Sequence, residues 1–234
     1  MLGLERVGVK DNFFEIGGHS LRATTMTSKL YKEMNVSLPL RDLFQFPTIE
    51  QLVVVIGGLD QEVFSAIPQI EAKDVYPMSS VQKRLYILQQ MEGAEQSYNM
   101  PYMMRLEGAV DRERLDETFR KLIMRHETLR TGFEMVDGEA LQRVHKEADF
   151  AAEYFQAAEE EINDVMHAFI RPFDLEKPPL LRIGLIEMAK ERHILMFDMH
   201  HIISDGTSLG ILIEEFVRLY RGESLEPLRI QYKD

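Results

Sequence analysis

The chain has no cysteine among its 234 residues, so disulfides, thiolate metal sites and a cysteine nucleophile are all excluded. It is also poor in cations, with 27 Lys and Arg against 39 Asp and Glu and a net charge of -12. Because phosphate binding needs clustered Lys and Arg, this balance argues against a nucleic-acid partner. No apolar run approaches a membrane span, and the N-terminus lacks the pattern of a signal peptide. We therefore expect a cytoplasmic protein that binds neither nucleic acid nor membrane.

Hydrophobic periodicity divides the chain into three parts. Residues 1–58 predict a small helical module, with one helix beginning near Ser20 and another capped by Thr48. Residues 59–76 show no sustained periodicity and are interpreted as a linker. Residues 77–234 alternate amphipathic helices with apolar strands, which predicts a mixed domain and an α+β protein overall.

Within the mixed domain, the pattern Ser79-Ser80-Val81-Gln82 has the spacing of a capping box and marks its first helix. The other predicted helices are 111–126, 157–170 and 207–219. The predicted strands are 98–106, 132–135, 141–144, 180–187 and 193–201.

Ser20 follows the glycine pair Gly17-Gly18 after one intervening residue, His19, at the predicted start of a helix. This position exposes a hydroxyl beside free backbone N–H groups and the positive end of the helix dipole, which favours an attached phosphate. A serine in this place more often serves only as a helix cap. Local chemistry alone leaves both interpretations open.

A second polar group of interest stands where a buried strand is predicted to end, at His200 and His201, followed by Asp205 and Gly206. Adjacent strand residues point to opposite faces, so only one of the two histidines should be chemical. A neutral imidazole can act as a general base. The simpler alternative is that both are packed histidines bonded to the backbone.

Rival chemistries lack their motifs. There is no His-Glu-x-x-His sequence and no evident carboxylate set for a metal. The glycine pairs have neither the phosphate-loop nor the dinucleotide spacing, and no Gly-x-Ser-x-Gly nucleophile elbow is present. We therefore expect no metal site.

The residues around Ser20 closely resemble the phosphopantetheine attachment motif of peptidyl carrier domains in nonribosomal peptide synthetases. The match runs from Gly3 through the second helix. The resemblance implies that a phosphopantetheinyl transferase attaches 4'-phosphopantetheine covalently to Ser20. A complete carrier has a further helix before the motif, so residues 1–58 are expected to be an N-terminally truncated carrier and an incomplete helical bundle.

Residues 200–206, His-His-Ile-Ile-Ser-Asp-Gly, resemble the HHxxxDG signature of condensation domains in the same synthetases. Residues 80–86 and 125–133 resemble two further motifs of that family in the same order, and 171–175, Arg-Pro-Phe-Asp-Leu, are also typical. The resemblance implies a chloramphenicol-acetyltransferase-like α/β sandwich. Residues 77–234 would form the N-terminal lobe, with the C-terminal lobe missing.

Carried over by position, His201 is the catalytic histidine, acting as a base or as a positioner of the attacking amine, and His200 supports it. The family pattern suggests that Asp205 is structural and pairs with Arg125, with Arg130 as the alternative. An uncompensated carboxylate at the foot of a buried site would be costly, which supports such a pair.

Gly206 would let the backbone pass close to the substrate carbonyl and open the next helix.

The resemblance implies a carrier and condensation segment that joins an upstream aminoacyl or peptidyl thioester to a downstream aminoacyl thioester. Downstream carrier and adenylation domains would be its partners. The residues after Gly206 favour a condensation domain of the L-donor type. Epimerisation is the nearest alternative. A further alternative is a non-catalytic fragment or carrier-binding module, in which His201 faces solvent or an open apolar groove and condensation activity is small.

Overall fold

A computed structural model describes residues 3–4, 6–59 and 67–234. It divides the chain into two compact units, Met1–Ile67 and Pro68–Asp234. Among the described residues, no helix is both long enough and apolar enough to cross a membrane.

The predicted linker, 59–76, falls partly outside the described residues, at 60–66. Its last residue, Tyr76, is a buried strand residue, with only 3% of its surface exposed. The second compact unit accordingly begins at Pro68, earlier than the predicted start at 77. The boundaries between carrier, linker and condensation domain stay a prediction.

The first unit is helical, as predicted, and consists in its described part of α1 (Ser20–Met34), α2 (Leu40–Gln45) and α3 (Ile49–Gly57). Thr48 caps α3 in a capping box, accepting from the backbone N–H of Gln51 at 3.3 Å. The unit has its own apolar core, formed by Phe13, Ala23, Leu38, Leu43 and Leu52.

The second unit mixes helices and strands. Its helices are α4 (Ser80–Gln89), α5 (Arg112–Arg125), α6 (Ile162–Phe169) and α7 (Gly206–Tyr220). Its strands are β1 (Tyr76–Pro77), β2 (Asn99–Glu107), β3 (Thr131–Val136), β4 (Glu139–Val144), β5 (Glu153–Gln156), β6 (Leu181–Ala189) and β7 (Arg192–His200). A small sheet has the order β1-β4-β3, and a larger one has the order β2-β7-β6-β5.

Strand β7 lies inside the larger sheet and is buried on both faces, which explains its continuous apolar sequence. Leu195 and Phe197 belong to the main core, together with Phe119 of α5 and Leu212 of α7. Met196, on the opposite face, packs in a second cluster with residues of α6. The sheet is therefore covered on both faces. Its inner strand β7 ends at His200, and His201 follows directly.

The one strand of this sheet that the sequence did not predict is β5. It pairs in parallel with β6, from Glu153 opposite Gly184 to Gln156 opposite Glu187. A four-residue strand with polar ends has too few residues to show either alternation or an apolar run. Its place depends on pairing with residues 31 positions later in the chain, which local pattern does not reveal.

Candidate active site

His201 stands just beyond the end of β7, where the chain turns away from the sheet. Its backbone N–H donates to the carbonyl of Tyr98 at 2.8 Å, and its ring Nδ1 lies 2.7 Å from the carbonyl oxygen of Ser204. A carbonyl oxygen only accepts, so Nδ1 carries the proton. The second ring nitrogen, Nε2, is then left with a free lone pair, and the side chain is exposed. This is the tautomer that a general base needs.

His201 lines a cavity of about 520 Å³ with mostly apolar walls. Leu85 of α4, Ile211 of α7 and Leu228 contribute to those walls, and His126 is one of the polar residues that also line the cavity. A pocket of this size and character can take an organic side chain while presenting one basic nitrogen to it. The predicted open apolar groove beside His201 is present.

His200 is completely buried, in contrast to His201. Its Nδ1 accepts from the backbone N–H of Ile202 at 3.1 Å, and its Nε2 lies 3.2 Å from Oε1 of Gln89. Burial, and to a smaller extent the neighbouring His201, lowers the pKa of His200 to about 4. His200 is therefore a neutral, fully bonded ring that does not reach the cavity.

Asp205 does not form the expected pair with Arg125, and that prediction is wrong. Its carboxylate instead caps α7, with Oδ1 accepting from the backbone N–H and the hydroxyl of Ser208, both at 2.8 Å. These hydrogen bonds lower the pKa of Asp205. The premise of the expected pair also fails, because Asp205 is exposed and needs no cation to offset burial. The role of Asp205 as a structural residue stays a prediction.

Arg125 is held by a carboxylate that the motifs did not indicate, Glu215 of α7. Its Nε and Nη2 donate to the two carboxylate oxygens at 3.0 and 3.1 Å, and His126 Nε2 lies 2.6 Å from the same group. Burial alone would raise the pKa of Glu215, but the hydrogen bonds from Arg125 and His126 outweigh it and lower that pKa. This cluster joins the end of α5 to the middle of α7, the helix that follows His201.

The alternative partner for Asp205, Arg130, is also engaged elsewhere. It hydrogen-bonds the carbonyl of His145 and lies 3.5 Å from the carboxylate of Glu127. Neither arginine of the second motif is therefore bonded to Asp205.

Gly206 is the first residue of α7 and is exposed. A Cβ added there would meet no described atom within 4 Å, and the backbone has no positive φ. The fold itself therefore does not require glycine at this position. The prediction that Gly206 makes room for a substrate stays open, and the free space beside it is compatible with that role.

A buried ion pair lies under the strand end and was not predicted. Arg182 of β6 donates to Asp198 of β7 at 2.6 Å, and its guanidinium stacks 3.6 Å from the ring centroid of Phe173. Burial raises the pKa of Asp198 and lowers that of Arg182, against the attraction between them. The same guanidinium donates to the carbonyls of Arg171 and Pro172, so it ties the Arg-Pro-Phe-Asp-Leu segment to the sheet.

Ser20 in the first unit is exposed and is the first residue of the fifteen-residue helix α1. The cap residue is His19, whose side chain makes no capping hydrogen bond, so the hydroxyl of Ser20 is not a cap. Gly17 has a φ of +98°, and a Cβ on Gly18 would lie 2.4 Å from the carbonyl oxygen of Phe13. The backbone conformation thus requires both glycines. The hydroxyl of Ser20 is accessible at the helix N-terminus, which fits a phosphodiester.

Comparison with known proteins establishes the family. Residues 72–234 match the family model of the condensation domain, and residues 1–56 match the model of the phosphopantetheine attachment site. The chain belongs to the condensation domain family, with a phosphopantetheine-binding carrier domain before it. The family resemblance and the covalent 4'-phosphopantetheine cofactor expected from the sequence are confirmed at this level.

Two curated relatives are bacterial synthases. Surfactin synthase subunit 1 of Bacillus subtilis (strain 168) is 52% identical over 234 residues, and Tyrocidine synthase 3 of Brevibacillus parabrevis is 51% identical over 234 residues. Both alignments cover 100% of this chain, but only 6% and 4% of those synthases. The chain therefore spans a small part of the relatives it matches.

Solved structures confirm the predicted fold. The X-domain from teicoplanin biosynthesis is 23% identical with a TM-score of 0.66, over 72% of this chain and 38% of that chain. The condensation domain from a monacolin K polyketide synthase is 23% identical with a TM-score of 0.63, over 71% and 38%. At this identity the likeness shows the chloramphenicol-acetyltransferase-like fold alone.

Proposed function

We propose that this chain forms an amide bond between two carrier-bound thioesters, with an L-configured donor, as part of a nonribosomal peptide synthetase. The observation that carries the proposal is the free Nε2 of His201 at the edge of an apolar cavity. Phosphopantetheinyl transferase and downstream carrier and adenylation domains are its proposed partners, and a cytoplasmic location stays a prediction.

In the proposed reaction, the amine nitrogen bonds to the thioester carbonyl carbon, while Nε2 of His201 accepts the proton of the amine or holds the amine in place. The carbon–sulfur bond of the donor then breaks, and the leaving thiolate takes up the proton. The hydrogen bond from Nδ1 to Ser204 orients the ring for this. The apolar walls of the cavity suit an organic side chain of the substrate. His200 supports the turn, Asp205 caps the following helix, and Arg125 joins that helix to α5.

Ser20 is the proposed attachment point in the carrier unit. When bound, 4'-phosphopantetheine supplies the thiol that carries the acyl group, in agreement with the absence of cysteine from the chain. The hydroxyl of Ser20 is exposed and no side chain caps α1, so the first backbone N–H groups of the helix could bind the phosphate of this group.

Modification of Ser20 can be measured by intact mass. We expect one phosphopantetheine per chain after treatment with a phosphopantetheinyl transferase and coenzyme A, and no gain in a Ser20→Ala variant. Ser28→Ala, which alters another serine of the same helix, is the matched control and should be modified like the wild type. No mass gain in the wild type, or a gain that survives Ser20→Ala, would contradict the assignment.

The condensation proposal is tested by placing residues 1–234 in Tyrocidine synthase 3, in exchange for the 234 residues that they match. Carrier-bound donor is supplied in L or D form with an L acceptor, and the products are analysed on a chiral column. We expect peptide from the L donor and little from the D donor. Peptide made only from the D donor would refute the L-donor type. Racemised donor without peptide would favour epimerisation, and no product of either kind would favour a carrier-binding module.

A further inference from the structure

Gln89, the last residue of α4, is a buried polar residue outside the motifs, with 8% of its surface exposed. Its Nε2 donates to the carbonyl of Glu95 at 2.8 Å, and its Oε1 lies 3.2 Å from Nε2 of His200. The carbonyl of Glu95 can only accept, so it dictates the orientation of the amide. Oε1 must therefore face His200, where it can only accept a hydrogen bond.

The two partners of the His200 ring determine its tautomer. Nε2 must carry the proton to donate to Gln89, and Nδ1 must be bare to accept from the N–H of Ile202. The opposite tautomer would set two N–H donors against each other at Nδ1 and two acceptors against each other at Nε2. Since His200 is completely buried against Phe173, water cannot replace either partner.

The bare Nδ1 of His200 helps to close the turn that presents His201. The N–H of Ile202 donates to it, and the N–H of Ile203 donates to the carbonyl of His200 at 3.1 Å. These bonds end the strand and direct His201 toward the cavity. Loss of the first bond would leave a buried N–H unpaired, since Ile202 is only 4% exposed.

We infer that Gln89 is a positioning residue for His201, acting through the tautomer of His200. The inference rests on the proposed function, because it concerns the same imidazole. Gln89 is not among the residues that line the cavity, so it has no direct contact with a substrate there. Gln89 belongs to α4, the helix that contains the motif at 80–86, and it contacts His200 of the motif at 200–206. It is therefore a physical link between these two motifs.

The first readout is the tautomer itself, measured by 15N NMR of the histidine rings in the 234-residue chain without substrate. We expect wild-type His200 to show the pattern of Nε2–H with a bare Nδ1. In Gln89→Met this pattern should give way to a mixture of tautomers. Gln90→Met, which changes the exposed neighbour, should keep the wild-type pattern.

The second readout is the condensation rate in the exchanged synthase. A small displacement of a catalytic group costs up to about 100-fold in rate, so we expect kcat to fall about 10-fold to 100-fold in Gln89→Met, with little change in KM. In a His200→Asn background, Asn Oδ1 can still accept from Ile202 and no longer needs Gln89. Gln89→Met should then add less than about twofold, because coupled residues are not additive.

Three results would overturn the inference: an Nδ1–H tautomer at His200 in the wild-type chain, an unchanged tautomer in Gln89→Met, or equal losses of kcat from Gln89→Met in both backgrounds. If Gln89→Met fails to fold, the NMR measurement on the wild-type chain still tests the predicted tautomer of His200. A condensation rate that does not depend on His201, with the tautomer still coupled to Gln89, would instead refute the proposed function alone.

Discussion

At the scale of single residues, Gly18 and Gly206 differ in the reason for which each position holds glycine. A Cβ on Gly18 would lie 2.4 Å from the backbone of Phe13, so the fold of the first unit excludes one. A Cβ on Gly206 would meet no described atom within 4 Å. The first glycine is explained by the protein alone, and the second by the proposed approach of a substrate.

We therefore expect Gly206→Ala to leave the free energy of unfolding within about 0.5 kcal/mol of the wild type, while the condensation rate in the exchanged synthase falls about tenfold or more. Thermal unfolding and peptide formation would be measured on the same variant. Gly210→Ala, also in α7 and also open around Cβ, is the matched control and should keep its rate. A Gly206→Ala variant with the wild-type rate would show that no substrate passes close to this position.

The buried His200 makes stability depend on pH. Its pKa falls from 6.5 to about 4 on folding, so between these values the unfolded chain binds more protons than the folded one, and acid destabilises the fold. One unit corresponds to about 1.4 kcal/mol, which makes the loss from pH 7 to pH 4 up to about 3 kcal/mol.

Urea unfolding at pH 7 and pH 4 would measure this loss, with His200→Asn as the comparison, because that variant has no ring to titrate. The wild type should lose more stability than the variant over this range. Equal losses would mean that His200 is not buried in its neutral form.

At the scale of elements, α7 is fixed at two points, and both lie downstream of His201. Asp205 caps its first turn through Ser208, and Glu215 holds Arg125 and His126 at the end of α5. The helix sets one wall of the cavity, so its anchors also set the shape of the site.

The Glu215 cluster should be costly to break, because Arg125, His126 and Glu215 have only 17%, 18% and 12% of their side-chain surface exposed. Glu215→Gln removes the carboxylate and leaves a nearly buried guanidinium without its counter-charge. We expect the free energy of unfolding to fall by roughly 3 kcal/mol. Glu214→Gln, at the exposed neighbouring position, should change it by less than about 0.5 kcal/mol. Equal effects of the two substitutions in urea unfolding would contradict a structural role for the cluster.

At the scale of the whole molecule, local pattern was sufficient for most elements and for the family. The apolar run before His200 predicted β7, and the spacing of Leu115, Phe119, Leu122 and Ile123 predicted the buried face of α5. These signals are local, because the pattern of apolar residues along a short segment shows whether a strand is buried on both faces or a helix on one face.

The parts that could not be predicted depend on tertiary contacts. The expected Asp205–Arg125 pair assumed a buried carboxylate, whereas Asp205 is exposed and satisfied by its own helix. Glu215 lies ten residues after Asp205 and outside every motif, so only the packing of α7 on α5 reveals it. Gln89 is likewise visible only once α4 lies beside the end of β7.

The central claim is that His201 takes part in amide bond formation, and the most direct measurement is the rate of peptide formation by the exchanged synthase with His201→Ala. The account predicts a fall of about 10²-fold to 10⁴-fold, the range expected for loss of a general base. His167→Ala, an exposed histidine on α6, serves as the control and should keep the wild-type rate. A His201→Ala rate within about twofold of the wild type would contradict the account.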